Sequence, residues 1–510
     1  MSWEKSLDEK QKRELLAEKM GGEDKLARQY ARGKLDVRQR LIRMADPGSF
    51  REIGKLAGKG IYDDQGELVD AIPANFLFGK AEINRRPAVL GGDDFTVRGG
   101  AADAAIWRKA VMCEQMAHEY GIPLIRLIDG TGGGGSVKML EDMGLTYVPY
   151  LPGWEHVVKN LDTVPVVSLA LGSVAGLGAA RVVASHYSVM VRGMSHMFTA
   201  GPAVVAAIGE NHDKDALGGA DIHGRNGTVD DVVDTEEEAF DRARRFLSYL
   251  PSFAGQMAER SDPTDRVLRR EESLVTAVPE DRRAAYSMRR ILEAVFDHKS
   301  VFEMGRRWGQ SLITAFARLD GYPVAVLAND PSFMGGSVGA DAARKMQRFI
   351  ALAEQFRLPV VNLVDNPGFM IGLQAEKDAT IRYGVDALTA IYKATVPWAT
   401  VIIRKAYGVA GAAMSDHTKF QYRFAWPSGD WGSLPLEGGI EVAYKAELEA
   451  ADDAAAHLEA IKARLDKVRS PYRTAEAFMV EDIIDPRDTR PLLCEFASLA
   501  QSKLAQSKLA

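Results

Sequence analysis

A chain of 510 residues is too long for one ordinary hydrophobic core and points to two or three domains. Its 46% hydrophobic and 26% charged residues are those of a soluble globular protein, and a formal charge of −6 gives no footing for general nucleic-acid binding. Cys113 and Cys494, without any C-x-x-C pairing, exclude a disulfide framework or zinc knuckle and fit a reducing cytoplasm, while the charged N-terminus and the lack of an apolar run near roughly 20 residues set membrane insertion aside.

Residues 4 to about 45 are charge-dense and nearly free of Gly and Pro, and their irregularly spaced Leu15, Met20, Leu26, Tyr30, Leu35 and Leu41 predict two or three short helices wrapping the first domain. From Ile72 the pattern changes to short apolar runs ended by Gly or Asp: Ala88–Leu90, Pro123–Asp129, Pro165–Leu171 and Val189–Val191, with a helical segment over Ala102–His118. Buried strands alternating with helices make an α/β domain. Asp234–Leu250, acidic then basic, reads as a surface helix, and Pro251–Pro279 as a linker. Met288–Phe296 opens a second domain with strands over Val324–Ala328, Pro359–Asp365 and Trp398–Ile403, followed by a helix over Glu447–Val468. The expected domains are 1–255 and 280–500, with 501–510, a repeated Gln-Ser-Lys-Leu-Ala, as a tail.

The two domains are copies. Thr163-Val164-Pro165 recurs as Thr395-Val396-Pro397 at an offset of 232, which lays Ala175-Gly176-Leu177-Gly178 on Tyr407-Gly408-Val409-Ala410. Upstream, Asp94, Gly99, Gly100, Lys109, Pro123 and Asp129 recur at an offset of 236 as Asp330, Gly335, Gly336, Lys345, Pro359 and Asp365. Self-similarity over such a length means an internal duplication rather than a solenoid.

A Gly- and Ala-rich turn from strand to helix presents backbone N–H groups to whatever sits above it, and so can hold a developing negative oxygen. One such turn is also just a tight connection; here two occur in register. Each is preceded by a second Gly-rich loop, 129–136 and 365–372, at the C-terminal end of an apolar run, where α/β ligands bind. Neither loop is a phosphate loop or a G-x-G-x-x-G fingerprint. The nine histidines lack ligand spacing, so no metal site is expected, and His196 reads as structural. No serine sits in a G-x-S-x-G elbow. The chemistry left is one in which substrate or cofactor, not a side chain, moves the proton.

The segments Asp93–Gly100, Ser195–Pro202, Leu217–Ala220, Leu327–Asp330, Asp365–Phe369, Arg404–Gly408, Phe424–Pro427 and Ile484–Arg490 resemble, in this order, the carboxyltransferase (β) subunits of biotin-dependent acyl-CoA carboxylases of the propionyl-CoA carboxylase type. The resemblance runs from about residue 10 to 495. It implies two tandem crotonase-like (ClpP/crotonase) ββα-spiral domains, the first on the acyl-CoA side and the second on the biotin side. It also implies a homohexamer, a trimer of dimers, with each active site between the first domain of one subunit and the second of its partner. Biotin carboxylase and the biotin carrier belong to a separate subunit, and this chain has no Met-Lys-Met biotinylation site: Lys138 lies in Val-Lys-Met and Lys345 in Arg-Lys-Met.

Carried over residue by residue, the resemblance makes Gly176 and Leu177, or Leu177 and Gly178 in a register shifted by one, the donors for the thioester enolate, and Val409 and Ala410 those for the enolate formed when carboxybiotin loses CO₂. Gly132, Gly133, Gly134, Gly178 and Ala412 are expected at the acyl-CoA, and Gly368, Phe369, Tyr407 and Gly408 at the biotin. The chain departs from the family where Gly-Gly-Ala becomes Gly408-Val409-Ala410, where Gly-Gly becomes Gly176-Leu177, where Tyr-Asp becomes Gly411-Ala412, and where Gly-Gly-Ala-Arg becomes Gly132–Gly135. These changes imply a substrate other than propionyl-CoA, larger or differently functionalised. Two other readings share the residues: decarboxylation of a malonyl-type CoA thioester, and a non-catalytic assembly paralogue.

Overall fold

The computed structural model describes residues 2–100, 106–130, 140–141, 143–263 and 265–506, apart from the side chains of Glu437 and Gly438. The chain divides into two compact units, Met1–Gln256 and Met257–Ala510.

The first unit contains β1 (Arg51–Ile53), β2 (Gly58–Tyr62), β3 (Leu68–Pro73), β4 (Phe76–Ile83), β5 (Arg86–Asp93), β6 (Leu124–Ile128), β7 (Val166–Ala170), β8 (Ser173–Ala175), β9 (Tyr187–Val191), β10 (His196–Phe198) and β11 (Asp231–Val233). A seven-stranded sheet runs β1-β4-β5-β6-β7-β9-β11, antiparallel as far as β5 and parallel beyond it. β8 and β10 form a separate parallel pair, and β2 and β3 a hairpin that the hydrophobic pattern did not reveal. β6, β7 and β9 are buried on both faces throughout, which is why they read as continuous apolar runs. The N-terminal segment forms three helices, Glu4–Glu18, Glu23–Tyr30 and Val37–Met44. The helix Glu236–Ser248 is amphipathic, burying Ala239, Phe240, Ala243, Phe246 and Leu247.

The second unit repeats this frame with β12 (Phe302–Met304), β13 (Leu312–Leu319), β14 (Tyr322–Asn329), β15 (Val360–Asn366), β16 (Trp398–Tyr407), β17 (Tyr422–Ala425) and β18 (Asp430–Gly432). The order is β12-β13-β14-β15-β16-β17, with β18 also on β16, and the switch from antiparallel to parallel falls at the same place. Its core takes Leu493, Phe496, Ala497 and Ala500 from the C-terminal helix Thr489–Gln506. From Met257 onward the stretch read as a linker is held to this unit by guanidinium groups: Arg269 donates to the carbonyls of Ala294 and Phe296, and Arg490 to that of Arg266. The helix expected over Glu447–Val468 is two, Lys445–Ala450 and Ala454–Asp466, because the Asp453 carboxylate caps the N–H of Ala456 and starts a new helix. Among the described residues no helix is long and apolar enough to cross a membrane.

Duplication is visible at single residues. Gly91 pairs with Arg126 and Arg126 with Ser168, as Leu327 pairs with Asn362 and Asn362 with Thr400. Gly100 and Gly336 both have positive φ, +65° and +87°, and a Cβ on either would press on the main-chain oxygen of Asp129 or Asp365, at 2.9 and 2.4 Å. Glycine is required there by conformation and by close approach.

Candidate functional site

The two matched turns have one construction. Gly176, with φ +55° and ψ −119°, precedes the helix Leu177–Val183, and its twin Gly408, with φ +63°, leads from β16 into Val409–Ala412. A Cβ on Gly176 would meet nothing within 4 Å, so the left-handed backbone, not crowding, demands glycine. The Gly176 N–H donates to the Phe198 carbonyl at 3.3 Å, so that donor is used within the fold. The donors that a helix start leaves without an intrahelical acceptor include those of Leu177 and Gly178, the second of the two expected registers. In the second turn Val409 is 57% exposed, while Ala410 is buried and its carbonyl accepts from the Asn366 amide at 2.9 Å.

In each unit a central strand ahead of the turn, β6 or β15, leads to a buried carboxylate. Asp129 pairs with Arg40 at 2.7 Å and Lys34 at 2.5 Å; Asp365 pairs with Arg404 at 3.0 Å and accepts from the Tyr286 hydroxyl at 2.8 Å. The Asp129 N–H donates to Asp93 Oδ2 at 3.2 Å, and the Asp365 N–H to Asn329 Oδ1 at 3.3 Å. Gly132, Gly133 and Gly134 lie outside the described residues.

On the expected biotin side, Gly368 has φ +123°, and a Cβ there would sit 3.8 Å from the Tyr407 carbonyl oxygen. Phe369 lies over Gly384 of the helix Thr380–Lys393, where a Cβ would come within 2.5 Å of its ring. Tyr407 is only 3% exposed; burial, then Asp430, pushes its hydroxyl pKa well up, and the hydroxyl accepts from Arg469 at 3.3 Å. The Tyr407 ring is therefore committed inside the fold, and its main chain is what borders Gly368. Ala412 is exposed, at the end of the second helix. His196 bridges Ser173 and Asp215, as expected of a structural residue.

Sequence reasoning missed a cleft of about 80 Å³ in the first unit, bordered by Leu177 of the turn. Its walls are apolar, with Trp107, Val111, Trp154 and Val157, but Asp93, Glu114 and Arg181 also line it. Arg181 lies one helical turn beyond Leu177, donates to Asp93 Oδ1 at 3.3 Å, and stacks over the Phe76 ring at 5.4 Å. Burial raises the Asp93 pKa, and Arg181 only partly offsets it. Burial also opposes charge on Glu114, but Arg126, donating to both its oxygens at 2.8 Å, outweighs this and lowers its pKa. A second cleft uses the other side of the loop that follows β5: Phe95, Thr96 and Arg98 face Lys25, Arg28 and Arg32. These residues are dispersed in sequence, so no local motif announced them.

Comparison with known proteins follows the same lines. The carboxyl transferase domain family matches residues 28–509. The chain is similar to the propionyl-CoA carboxylase carboxyltransferase subunit of Haloferax mediterranei, 33% identical over 99% of this chain and 97% of that one. It is 30% identical to the methylmalonyl-CoA decarboxylase subunit alpha of Veillonella parvula, over 97% of this chain and 96% of that one. Among solved structures it is similar to the hexameric transcarboxylase 12S with methylmalonyl-CoA and methylmalonic acid bound, with a TM-score of 0.86 and 29% identity over 98% of this chain and 96% of that one.

Proposed function

We infer the reaction from one premise: this chain belongs to the carboxyl transferase family. It is a carboxyltransferase subunit of a biotin-dependent acyl-CoA carboxylase with the crotonase-like fold in both units. The observation that carries the finer reading is the pair of matched left-handed glycine turns, Gly176 and Gly408, one of which opens on an apolar cleft.

In this reading the N–H groups of Leu177 and Gly178 hold the thioester oxygen as the acyl α-carbon loses its proton. Preorganised backbone donors cost no reorganisation at that moment, and each contributes about 3–4 kcal/mol in comparable sites. The cleft beside Leu177 takes the acyl chain and keeps water from the enolate. The basic cleft of Lys25, Arg28, Arg32 and Arg98 takes the phosphates of CoA; one loop, Asp93–Gly100, serves both clefts, as a ligand with an apolar end and a polyanionic end requires. The second turn, with Val409 and Ala410 as donors and Gly368 and Gly408 leaving room above the main chain, receives the biotin of a partner subunit. Carboxybiotin would supply the CO₂ and, after its loss, a basic ring nitrogen to take the acyl α-proton. The homohexamer and the cytoplasmic location belong to this proposal, the former supported by the hexameric relative.

The test is carboxylation by the purified chain, supplied with a biotin-carrier subunit whose carboxybiotin bears the label in its carboxyl group, across acyl-CoA thioesters of different length and branching. Label entering one class is the expected result. A relative named as a decarboxylase subunit keeps a second reading alive: no label, with malonyl-type thioesters losing CO₂, selects that direction. A chain that binds no CoA thioester is an assembly paralogue.

A further inference from the structure

Four charges, Glu114 and Arg126 buried and Asp93 and Arg181 partly so, cluster around the acyl cleft, and none has a charged twin. Adding the repeat offsets takes Asp93 to Asn329, Glu114 to Ile350, Arg126 to Asn362 and Arg181 to Ala413. The structural duty of Asp93, accepting the N–H of Asp129, is performed in the second unit by a neutral amide. The frame therefore stands without these charges, and the cost of burying them calls for another return.

Arg181 differs from the other buried arginines in how little it is bonded. Arg40 donates to Glu236, Asp129 and the Leu171 carbonyl; Arg404 to Asp365 and the Ala284 carbonyl; Arg490 to Asp297 and the carbonyls of Arg266 and Val295. Arg126 grips Glu114 and the Ala184 carbonyl. Among the described residues Arg181 has a single acceptor, Asp93 Oδ1, at a long 3.3 Å. Its side chain is 15% exposed, and what it faces is the cleft. A guanidinium carries five donors, and those of Arg181 that Asp93 does not take up are open to the cleft. The chemistry that satisfies them is an oxygen acceptor entering with the ligand.

We propose that Arg181 is a specificity-determining residue whose guanidinium binds an oxygen carried on the acyl chain, so that this chain takes acyl-CoA thioesters functionalised beyond the α-carbon in preference to plain alkanoyl ones. This rests on the carboxyltransferase reading of the same cleft. Phe76 beneath the guanidinium holds it in place, and Asp93 beside it keeps the site near neutrality, so a keto or hydroxyl oxygen and a carboxylate share the chemistry.

The experiment measures equilibrium binding to the purified chain of a straight-chain acyl-CoA and its keto, hydroxy and ω-carboxy counterparts of equal length. The expected result is that at least one oxygenated thioester binds about 10- to 100-fold more tightly than the plain one, the range for a hydrogen bond to a charged group. In Arg181→Met that ratio falls to within about threefold; Arg181→Lys, with the charge but not the planar fork, lies between. The oxygenated thioester that binds most tightly identifies the kind of oxygen; Asp93→Asn, which removes a negative charge beside the guanidinium, should raise the preference for the ω-carboxylate over the keto group, and an unchanged ratio would place the bound oxygen away from Arg181 and overturn the proposal. Equal binding of plain and oxygenated thioesters in the native chain overturns the proposal even if no variant folds, as does a preference that survives in Arg181→Met. Failure to bind any CoA thioester overturns the carboxyltransferase reading, and this proposal with it.

Discussion

The two units share a backbone and differ in what lies beneath the turn. Below the first turn, Glu114 and Arg126 form a two-bonded pair across a buried helix and strand; at the corresponding places in the second unit stand Ile350, 1% exposed, and Asn362, whose amide donates to the Met414 carbonyl. The positive-φ glycines, the strand order and the carboxylates Asp129 and Asp365 are common to both. Duplication has kept what the main chain needs and released the side chains that face a ligand. In the proposed function the turns are one device for holding an oxyanion, furnished for two ligands.

The largest effect should come from breaking the charged pair on one side only. Arg126→Met leaves Glu114 buried without its partner and should cost about 3–5 kcal/mol, read as a shift in the denaturation midpoint. Converting both residues to those of the second unit, Arg126→Asn with Glu114→Ile, should recover most of that loss, since a buried ion pair replaced by residues of matching packing is often neutral. If the double variant is as unstable as the single one, the two units do not share a frame at this level.

The turn itself is tested by Leu177→Pro. Leu177 is the first residue of its helix, where proline is tolerated, and glycine precedes it, so the change removes one N–H with little strain. Turnover should fall about 10²- to 10³-fold while the melting temperature moves by only a few degrees. Full activity would show that the Leu177 donor does not serve the reaction. Gly176→Pro would be a poorer probe, because φ +55° lies beyond the reach of proline and the N–H is already bonded to Phe198.

A smaller, selective effect is expected at Ala412, exposed in the second unit. Ala412→Asp should alter the ranking of acyl-CoA substrates in the carboxylation assay while changing stability by no more than about 0.5 kcal/mol. An unchanged ranking would remove Ala412 from the acyl side.

The smallest effect concerns a pair found in the first unit. His118 Nε2 and His156 Nδ1 lie 2.8 Å apart, linking the helices Trp107–Tyr120 and Trp154–Thr163 that wall the cleft. Burial, then the neighbouring His156, lowers the His118 pKa. A lowered histidine pKa means that the fold favours the neutral ring, so this contribution is present above the unfolded value of about 6.5 and is lost as pH falls through the lower folded value. The melting temperature should drop by about 1–3 °C across that interval and do so less in His118→Asn. Identical pH profiles would remove the pair from the stability of these helices.

Much of this arrangement is legible in the sequence because backbone requirements leave local marks. Positive φ selects glycine at 99, 100, 176, 335, 336 and 408, and two-sided burial selects unbroken apolar runs such as Val166–Ala170, so the duplication and the paired turns could be read without coordinates. The split of Glu447–Val468 was hidden because Asp453 acts as a cap only once its side chain turns back on Ala456. Burial of Tyr407 was hidden because nothing in Arg-Lys-Ala-Tyr-Gly says on which side Asp430 and Arg469 will stand. The acyl cleft is the clearest case: Phe76, Asp93, Glu114, Arg126 and Arg181 come from three strands and two helices, far apart in sequence and in no periodic pattern. Local sequence determined the frame, since each turn and strand answers to its own residues. Only tertiary structure decided the cleft, because which charges are buried together, and which guanidinium is left short of acceptors, depends on what the rest of the chain packs around them.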